Sequence, residues 1–258
     1  MTARILVLDI ETTRAVVESF NLFPNYIHID RVKMPSRVLC FAAIWRGEER
    51  VIFKSAWKDG DEDAYLKMMK SAFRLLDEAD FVVSWNGDRF DLQWLEAEFG
   101  RLGFGRPSPY RSIDLFKVAK KNFGKGLMSL KLDWSARQWI GDTKLSHGAT
   151  DLWDEIRYGS REERRAAQRV MRSYNEKDSR LTAQLFERYL PWIGENFALY
   201  EDGAGDGTPR CSRCNSENVQ RRGTFPTKTC MYPRWRCNEC GSWSKGKRMV
   251  YTTELRPV

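Results

Sequence analysis

The chain has 258 residues, of which 42% are apolar and 13% aromatic, with 43 Lys and Arg against 35 Asp and Glu. That composition can bury a real core, which excludes disorder as the main state. The longest apolar run, Val38 to Trp45, is too short to span a membrane, and the early run Ile5–Leu8 is too short for a signal-peptide core, so a cytosolic protein is expected.

Arg4–Leu8 reads as a buried strand that ends in an acid. Val38–Trp45 is a second apolar strand, and Glu49–Lys54 alternates closely behind Gly47, so the pair reads as a hairpin. Ala64–Leu76 carries Tyr65, Met68, Met69, Ala72, Phe73 and Leu76 at helical spacing. Phe81–Trp85 is a further strand, and Phe90–Leu102 a helix broken by Gly103. Ser112–Asp114 is a short step from apolar to acid before another helix. Arg161–Tyr189 sets Ala167, Val170, Met171, Tyr174, Asp178, Leu181, Leu185 and Tyr189 on one stripe, closed by Pro191. A hairpin followed by alternating helices and strands predicts an α/β domain with a mixed sheet. The stretch 12–36 has no clear period and is expected to be an insertion over the active face. Glu201–Pro209 is rich in glycine and poor in apolar residues, so it reads as a flexible linker. The expected domains are therefore 1–200, a linker 201–209, and 210–258.

The charge follows that division. Residues 208–258 hold eleven Lys and Arg but three Asp and Glu, which is the whole net charge of +8. A neutral main domain with a basic appendage points to nucleic-acid contact.

Three acidic motifs lie in the main domain. Asp9 and Glu11 alternate with Ile10 at the end of the first strand, so both carboxylates point the same way. Side by side they repel, and hard oxygen ligands select Mg²⁺ or Mn²⁺; taken alone, a D-x-E reads better as a polar strand end. Asn86-Gly87-Asp88-Arg89-Phe90-Asp91 follows a strand and opens a helix, where Asp91 suits either a helix dipole or a metal. Tyr174 and Asp178 share a helix face at i and i+4, and that face is the apolar stripe. An Asp there is costly unless it is paired or holds metal. Asp88 is expected to face solvent and Asp114 to be structural. His28 and His147 are expected to be structural or surface residues.

In this order, D-x-E-T, N-x-x-x-F-D and Y-x-x-x-D resemble the DnaQ-like 3′–5′ exonucleases of the ribonuclease H-like fold, in their tyrosine (DEDDy) branch. The histidine branch would need His where Ser173 stands. The resemblance covers roughly residues 4–190. With its tail the chain is similar to phage-encoded DnaQ-like proteins that end in a zinc ribbon, which would place it in the host cytoplasm. It implies a ribonuclease H-like mixed sheet flanked by helices, and hydrolysis of phosphodiester bonds, DNA before RNA, from a free 3′ end. It implies two Mg²⁺ or Mn²⁺ ions held by Asp9, Glu11, Asp91 and Asp178. Asp9 would bridge both ions, Glu11 and Asp178 would complete the nucleophile side, and Tyr174 would orient the attacking water. Any proofreading would need a separate polymerase. Two other readings remain open: a nucleic-acid-binding protein without catalysis, and a structure-selective endonuclease of the same fold.

The tail carries Cys211, Cys214, Cys237 and Cys240 as two C-x-x-C pairs, the spacing of a structural Zn²⁺ in a zinc ribbon. A reducing cytosol disfavours the alternative of two disulfides. Cys230 is expected in the hairpin and Cys40 in the core. Arg221, Arg222, Arg234, Trp235, Arg236, Lys245, Lys247 and Arg248 interleave cations with a ring, as a nucleic-acid contact would. The two tryptophans of the tail could equally serve its small core.

Overall fold

A computed structural model describes residues 2–144 and 151–255; His147 lies outside them. The chain divides into two compact units. One runs from Arg4 to Leu185, and the other comprises residues from Phe186 onward with the N-terminal end. The division falls earlier than the glycine-rich segment 201–209.

The first unit opens with strand β1 (Ile5–Thr12) and a two-stranded ribbon, β2 (Val16–Val17) and β3 (Val32–Met34). Strands β4 (Val38–Trp45) and β5 (Ile52–Ser55) follow, then helix α1 (Glu62–Asp77), strand β6 (Phe81–Ser84) and helix α2 (Asp91–Arg101). Strand β7 (Arg111–Asp114) leads into α3 (Leu115–Asn122), α4 (Leu132–Ile140), α5 (Leu152–Tyr158) and the 29-residue α6 (Arg161–Tyr189). The hairpin, the helices around 64–76 and 90–102, and the long helix thus lie where the periodicity predicts them.

These strands form one sheet in the order β5-β4-β1-β6-β7. β4 runs antiparallel to β1 and β5, whereas β6 is parallel to β1 and β7 to β6. Side-chain alternation gives β1 two different faces. Leu6, Leu8 and Ile10 join the core formed with Met68, Met69 and Leu76 of α1 and Leu95 and Phe99 of α2. Asp9 and Glu11 lie on the opposite face, directly across from Ala42 and Cys40 of β4. Cys40 is fully buried, as expected of a core residue.

Helix α6 packs on that second face. Ser179 Oγ donates to the Ala42 carbonyl at 3.0 Å. Its buried stripe is Ala167, Met171, Asn175, Asp178, Ser179, Leu181, Thr182 and Leu185. The stripe differs from the one predicted, because Val170 is exposed while Asn175, Ser179 and Thr182 turn inward. Short polar side chains let the helix approach β1 and β4 closely, and an apolarity criterion passes over them.

The stretch 12–36 is the β2–β3 ribbon. Its root is tied by Thr13 N to the Arg37 carbonyl at 2.8 Å and by Arg37 N to Thr13 Oγ1 at 3.0 Å. Phe20, Leu22 and Phe23 at its tip are more than nine-tenths exposed.

In the second unit the last turn of α6 leads to a small core of Phe186, Tyr189, Leu190, Ile193 and Phe197. Strands β8 (Val219–Pro226), β9 (Cys230–Cys237), β10 (Trp243–Lys245) and β11 (Tyr251–Thr252) form a sheet with β9 at its centre. The segment 201–209 is a series of turns held by Arg210, which pairs with Asp206 and Glu217 at 2.8 Å each. No described helix is long and apolar enough to cross a membrane.

Candidate active site and cysteine centre

The acidic motifs converge at the carboxyl ends of the parallel strands, where open α/β sheets place their ligands. Asp9 and Glu11 come from the end of β1. Asp91 begins α2, just beyond β6, and its Oδ1 accepts the Ile10 amide at 2.9 Å. This bond ties the second motif to the first. Asp178 reaches the same place from α6.

The Asn86-Gly87 turn is what allows Asp91 to sit there. Asn86 takes a left-handed conformation, φ +69°, which asparagine tolerates. A Cβ at Gly87 would lie 2.1 Å from Ser84 Oγ and 3.2 Å from Asp91 Oδ2, so only glycine fits.

The four carboxylates are close enough to repel one another. Burial raises the Asp9 pKa well above the usual carboxylate range, and Asp91, Glu11 and Asp178 each add to the rise. Burial and then Asp178 push Glu11 up to about 8. Asp91 is pushed up to about 7 by burial, against the hydrogen bond from Ile10 and with help from Asp114. Asp178 is raised by burial, although Lys144 opposes the rise. Like charges crowded into a low dielectric repel unless protons or cations compensate them. Asp178 Oδ1 is also buried without a hydrogen-bond partner among the described residues. A hard divalent cation fits both observations.

Three further side chains shape the site. Asn175, fully buried one residue from Tyr174, donates from Nδ2 to Asp9 Oδ2 at 2.6 Å and to the Asp9 carbonyl at 3.2 Å. The Lys144 ammonium pairs with Asp178 Oδ2 and donates to the Tyr174 hydroxyl at 3.2 Å. Burial works against that ammonium, but Asp178 and Tyr174 outweigh it and hold its pKa above the usual lysine value. Asp114 caps α3, its Oδ1 accepting from Phe116 N and Asn86 N, so its expected structural role has a concrete form. Asp88 was expected in solvent but is half-buried, bound to Ser112 and paired with Lys117 at 2.5 Å. Asn175 carried a signal, an amide inside the Y-x-x-x-D motif. Lys144 carried none, because its loop brings it 34 residues along the chain to Asp178.

The cysteines form the second centre. Among the described residues, Cys211, Cys214, Cys237 and Cys240 are the one set of three or more potential ligands whose donor atoms all lie within 4.8 Å of one another. The carboxylates are not packed so closely. Cys211 Sγ lies 3.5 Å from Cys240 Sγ, and Cys214 Sγ 3.6 Å from Cys237 Sγ. A disulfide needs about 2.05 Å. Four thiolates about 2.3 Å from one tetrahedral ion would be roughly 3.8 Å apart, which these distances approach. Each C-x-x-C turn closes on a left-handed residue, Asn215 at φ +60° and Gly241 at φ +74°. Cys230 lies outside the set, in β9, as expected.

The β8–β9–β10 register sorts the basic residues. Arg221 stands opposite Trp235, while Arg234 and Arg236 alternate to the other face with Lys245. Lys247 and Arg248 are exposed beyond β10.

The RNase_H superfamily model matches residues 33–190. No curated protein matches the chain. Among solved structures it is similar to the family B DNA polymerase of the hyperthermophilic archaeon Pyrobaculum calidifontis, at 18% identity and a TM-score of 0.48. That match covers 74% of this chain but 25% of the polymerase.

Proposed function

The chain belongs to the ribonuclease H superfamily, and from that premise we propose that it is a metal-dependent 3′–5′ exonuclease of the DnaQ-like DEDDy type. The observation that supports this most is the meeting of Asp9, Glu11, Asp91 and Asp178 from three separated segments, with Tyr174 one helical turn from Asp178. In this reading Asp9, Glu11, Asp91 and Asp178 would hold two Mg²⁺ or Mn²⁺ ions, Glu11 and Asp178 on the nucleophile side and Asp91 on the leaving-group side. Bound ions would lower the pKa of a water and neutralise the departing 3′ oxygen. Asn175 fixes the rotamer of Asp9, and the Ile10 amide fixes that of Asp91. The Tyr174 hydroxyl, beside Asp178 and Lys144, would orient the attacking water. The substrate is nucleic acid with a free 3′ end, DNA before RNA, and a proofreading role would require a polymerase partner.

The second unit supports a zinc ribbon on Cys211, Cys214, Cys237 and Cys240 that holds nucleic acid for the nuclease. Residues 1–200 would form the nuclease, 201–209 a connection and 210–258 the ribbon, as in the phage-encoded DnaQ-like proteins that the chain resembles.

One observation favours another reading. The Lys144 ammonium already neutralises Asp178, as suits a chain that binds nucleic acid without cutting it. A digestion ladder on 3′- and 5′-labelled strands with Mg²⁺ or Mn²⁺ separates the cases. Stepwise shortening from the 3′ end supports the exonuclease, internal cuts an endonuclease, and intact strands the binding protein.

A further inference from the structure

The ribbon sheet has two unlike faces. In antiparallel pairs, directly opposed residues share a face. Arg236 opposes Trp243, Arg234 opposes Lys245, and Tyr232 opposes Phe225, so these six line one side. The ring contacts agree with the register. The Arg234 guanidinium lies 4.8 Å from the Trp243 ring centre, and the Lys245 ammonium 5.0 Å from that of Tyr232. Trp243 and Phe225 are 47% and 45% exposed, and all three cations are exposed as well. The other side bears Cys237, Trp235, Pro233 and Met231 of β9, each at least partly covered. The ribbon's strand core is therefore on that side, and Trp243 is left outside it.

No strand of this sheet contains a carboxylate, whereas together they carry five Lys and Arg. The open face thus combines a polyanion-seeking charge with rings in reach of that charge. From Tyr232 to Arg236 it extends roughly 13 Å along β9, at about 3.3 Å per residue. Duplex bases already stack on one another and hide their faces, while unpaired bases can stack on protein rings. We propose that this face binds single-stranded nucleic acid, with Trp243, Tyr232 and Phe225 stacking on bases while Arg234, Arg236 and Lys245 meet the phosphates. The proposal rests on the reading that the ribbon serves nucleic acid, and it assigns the strandedness of the substrate and the residues that read it.

The test measures binding of the zinc-replete full chain by fluorescence anisotropy, without Mg²⁺ or Mn²⁺. The probes are a DNA single strand, its RNA equivalent, the DNA duplex, and a DNA strand whose central nucleotides are abasic. The wild type should prefer either single strand over the duplex and the abasic strand. Trp243→Ala should weaken single-strand binding about tenfold, the scale of one lost base–ring stack, and change duplex and abasic binding less than twofold. Trp243→Phe should recover most of the loss. Arg221→Ala, on the opposite face, should leave the ratio of intact to abasic affinity unchanged. Bound zinc per chain, compared across variants, reports that the ribbon is intact. Equal losses on all probes for Trp243→Ala, or none, would overturn the stacking face. If Arg234→Ala with Lys245→Ala still weakened every probe in that case, the ribbon would remain a nucleic-acid binder through its charge alone. If those variants were silent too, the ribbon's part in the proposed function would fall with it. The digestion ladder stands apart from both results.

Discussion

The two candidate metal centres are built in opposite ways. The carboxylates come from residues 9, 11, 91 and 178, and each is held by an element that packs for its own reasons. β1 is buried in the sheet, α2 contributes Leu95 and Phe99 to the main core, and α6 lies along β4. The cysteines come from two tight turns in a small unit, and the strands beside them keep several large side chains exposed, Phe225, Trp243 and Tyr251 among them. Core size decides which centre can precede its ion. A large core can hold repelling acids together at a cost, whereas a small ribbon depends on its ion to fold. The acidic centre should therefore be a site that the fold imposes on the ion, and the cysteine centre a site through which the ion imposes the fold.

The largest expected effect attacks the second half of that contrast. Zinc binding to small finger peptides is worth about 10–16 kcal/mol and is coupled to their folding. Cys214→Ser, or removal of zinc by a chelator, should abolish hydrogen-exchange protection in 219–237 while β1 and β4 keep theirs. Protection retained in β8 and β9 would mean that the ribbon stands without an ion.

Next come the acids. Asp9→Asn or Glu11→Gln removes a charge from a mutually repelling set, so the melting temperature without added Mg²⁺ should hold or rise. Hydrolysis should fall roughly 10³-fold or more, since the ions contribute several kcal/mol to the transition state and each 1.36 kcal/mol is tenfold. Stability lost together with activity would show that these carboxylates hold the fold rather than the ion. Tyr174→Phe is gentler. The ring keeps its packing against the buried cluster that includes Cys40 and Met171, and the loss of its hydroxyl should slow turnover by roughly 10²-fold with little change in melting. Unchanged turnover would make Tyr174 a packing residue.

Much of this was legible in the sequence because it depends on local period. D-x-E alternation put Asp9 and Glu11 on one face, and i, i+4 spacing put Tyr174 beside Asp178. The two C-x-x-C turns announced four thiols. What was not legible depends on chain reversal or on polar burial. Lys144 enters the site from a loop whose approach no spacing encodes. Asn175 and Ser179 look like surface residues until β1 and β4 supply partners for them. Asp88 looks solvated until Ser112 and Lys117 close on it. The β8–β9 pairing, with its register shift between Arg221 and Thr224, decides which basic residues share a face, and a list of residue types cannot say that.

The smallest effect concerns pH, and it separates the acidic centre from ordinary surface carboxylates. Glu11 and Asp91 are raised to about 8 and about 7, and Asp9 and Asp178 are raised as well. A group whose folded pKa exceeds its unfolded value binds more protons in the native state, so its contribution to stability is lost as pH rises. For these acids the loss begins near the unfolded carboxylate value of about 4 and continues to about 8. Surface acids such as Asp77 and Glu62 shift the other way, lowered by hydrogen bonds from Ser108 and Arg37. Their stabilisation is complete once pH exceeds the unfolded value, so they add nothing to the trend above about pH 5. Without Mg²⁺ the first unit should therefore melt progressively lower from pH 5 to pH 8, by roughly 2–4 °C for each kcal/mol lost. Added Mg²⁺ should restore most of that loss at pH 8 and little at pH 5, where protons already occupy the carboxylates. Asp9→Asn should flatten the slope, because it removes one of the repelling charges that raise the others. A melting temperature that climbs between pH 5 and pH 8 without Mg²⁺ would mean that the four carboxylates are not crowded in solution, and the contrast between an imposed and an imposing site would fail at its acidic end.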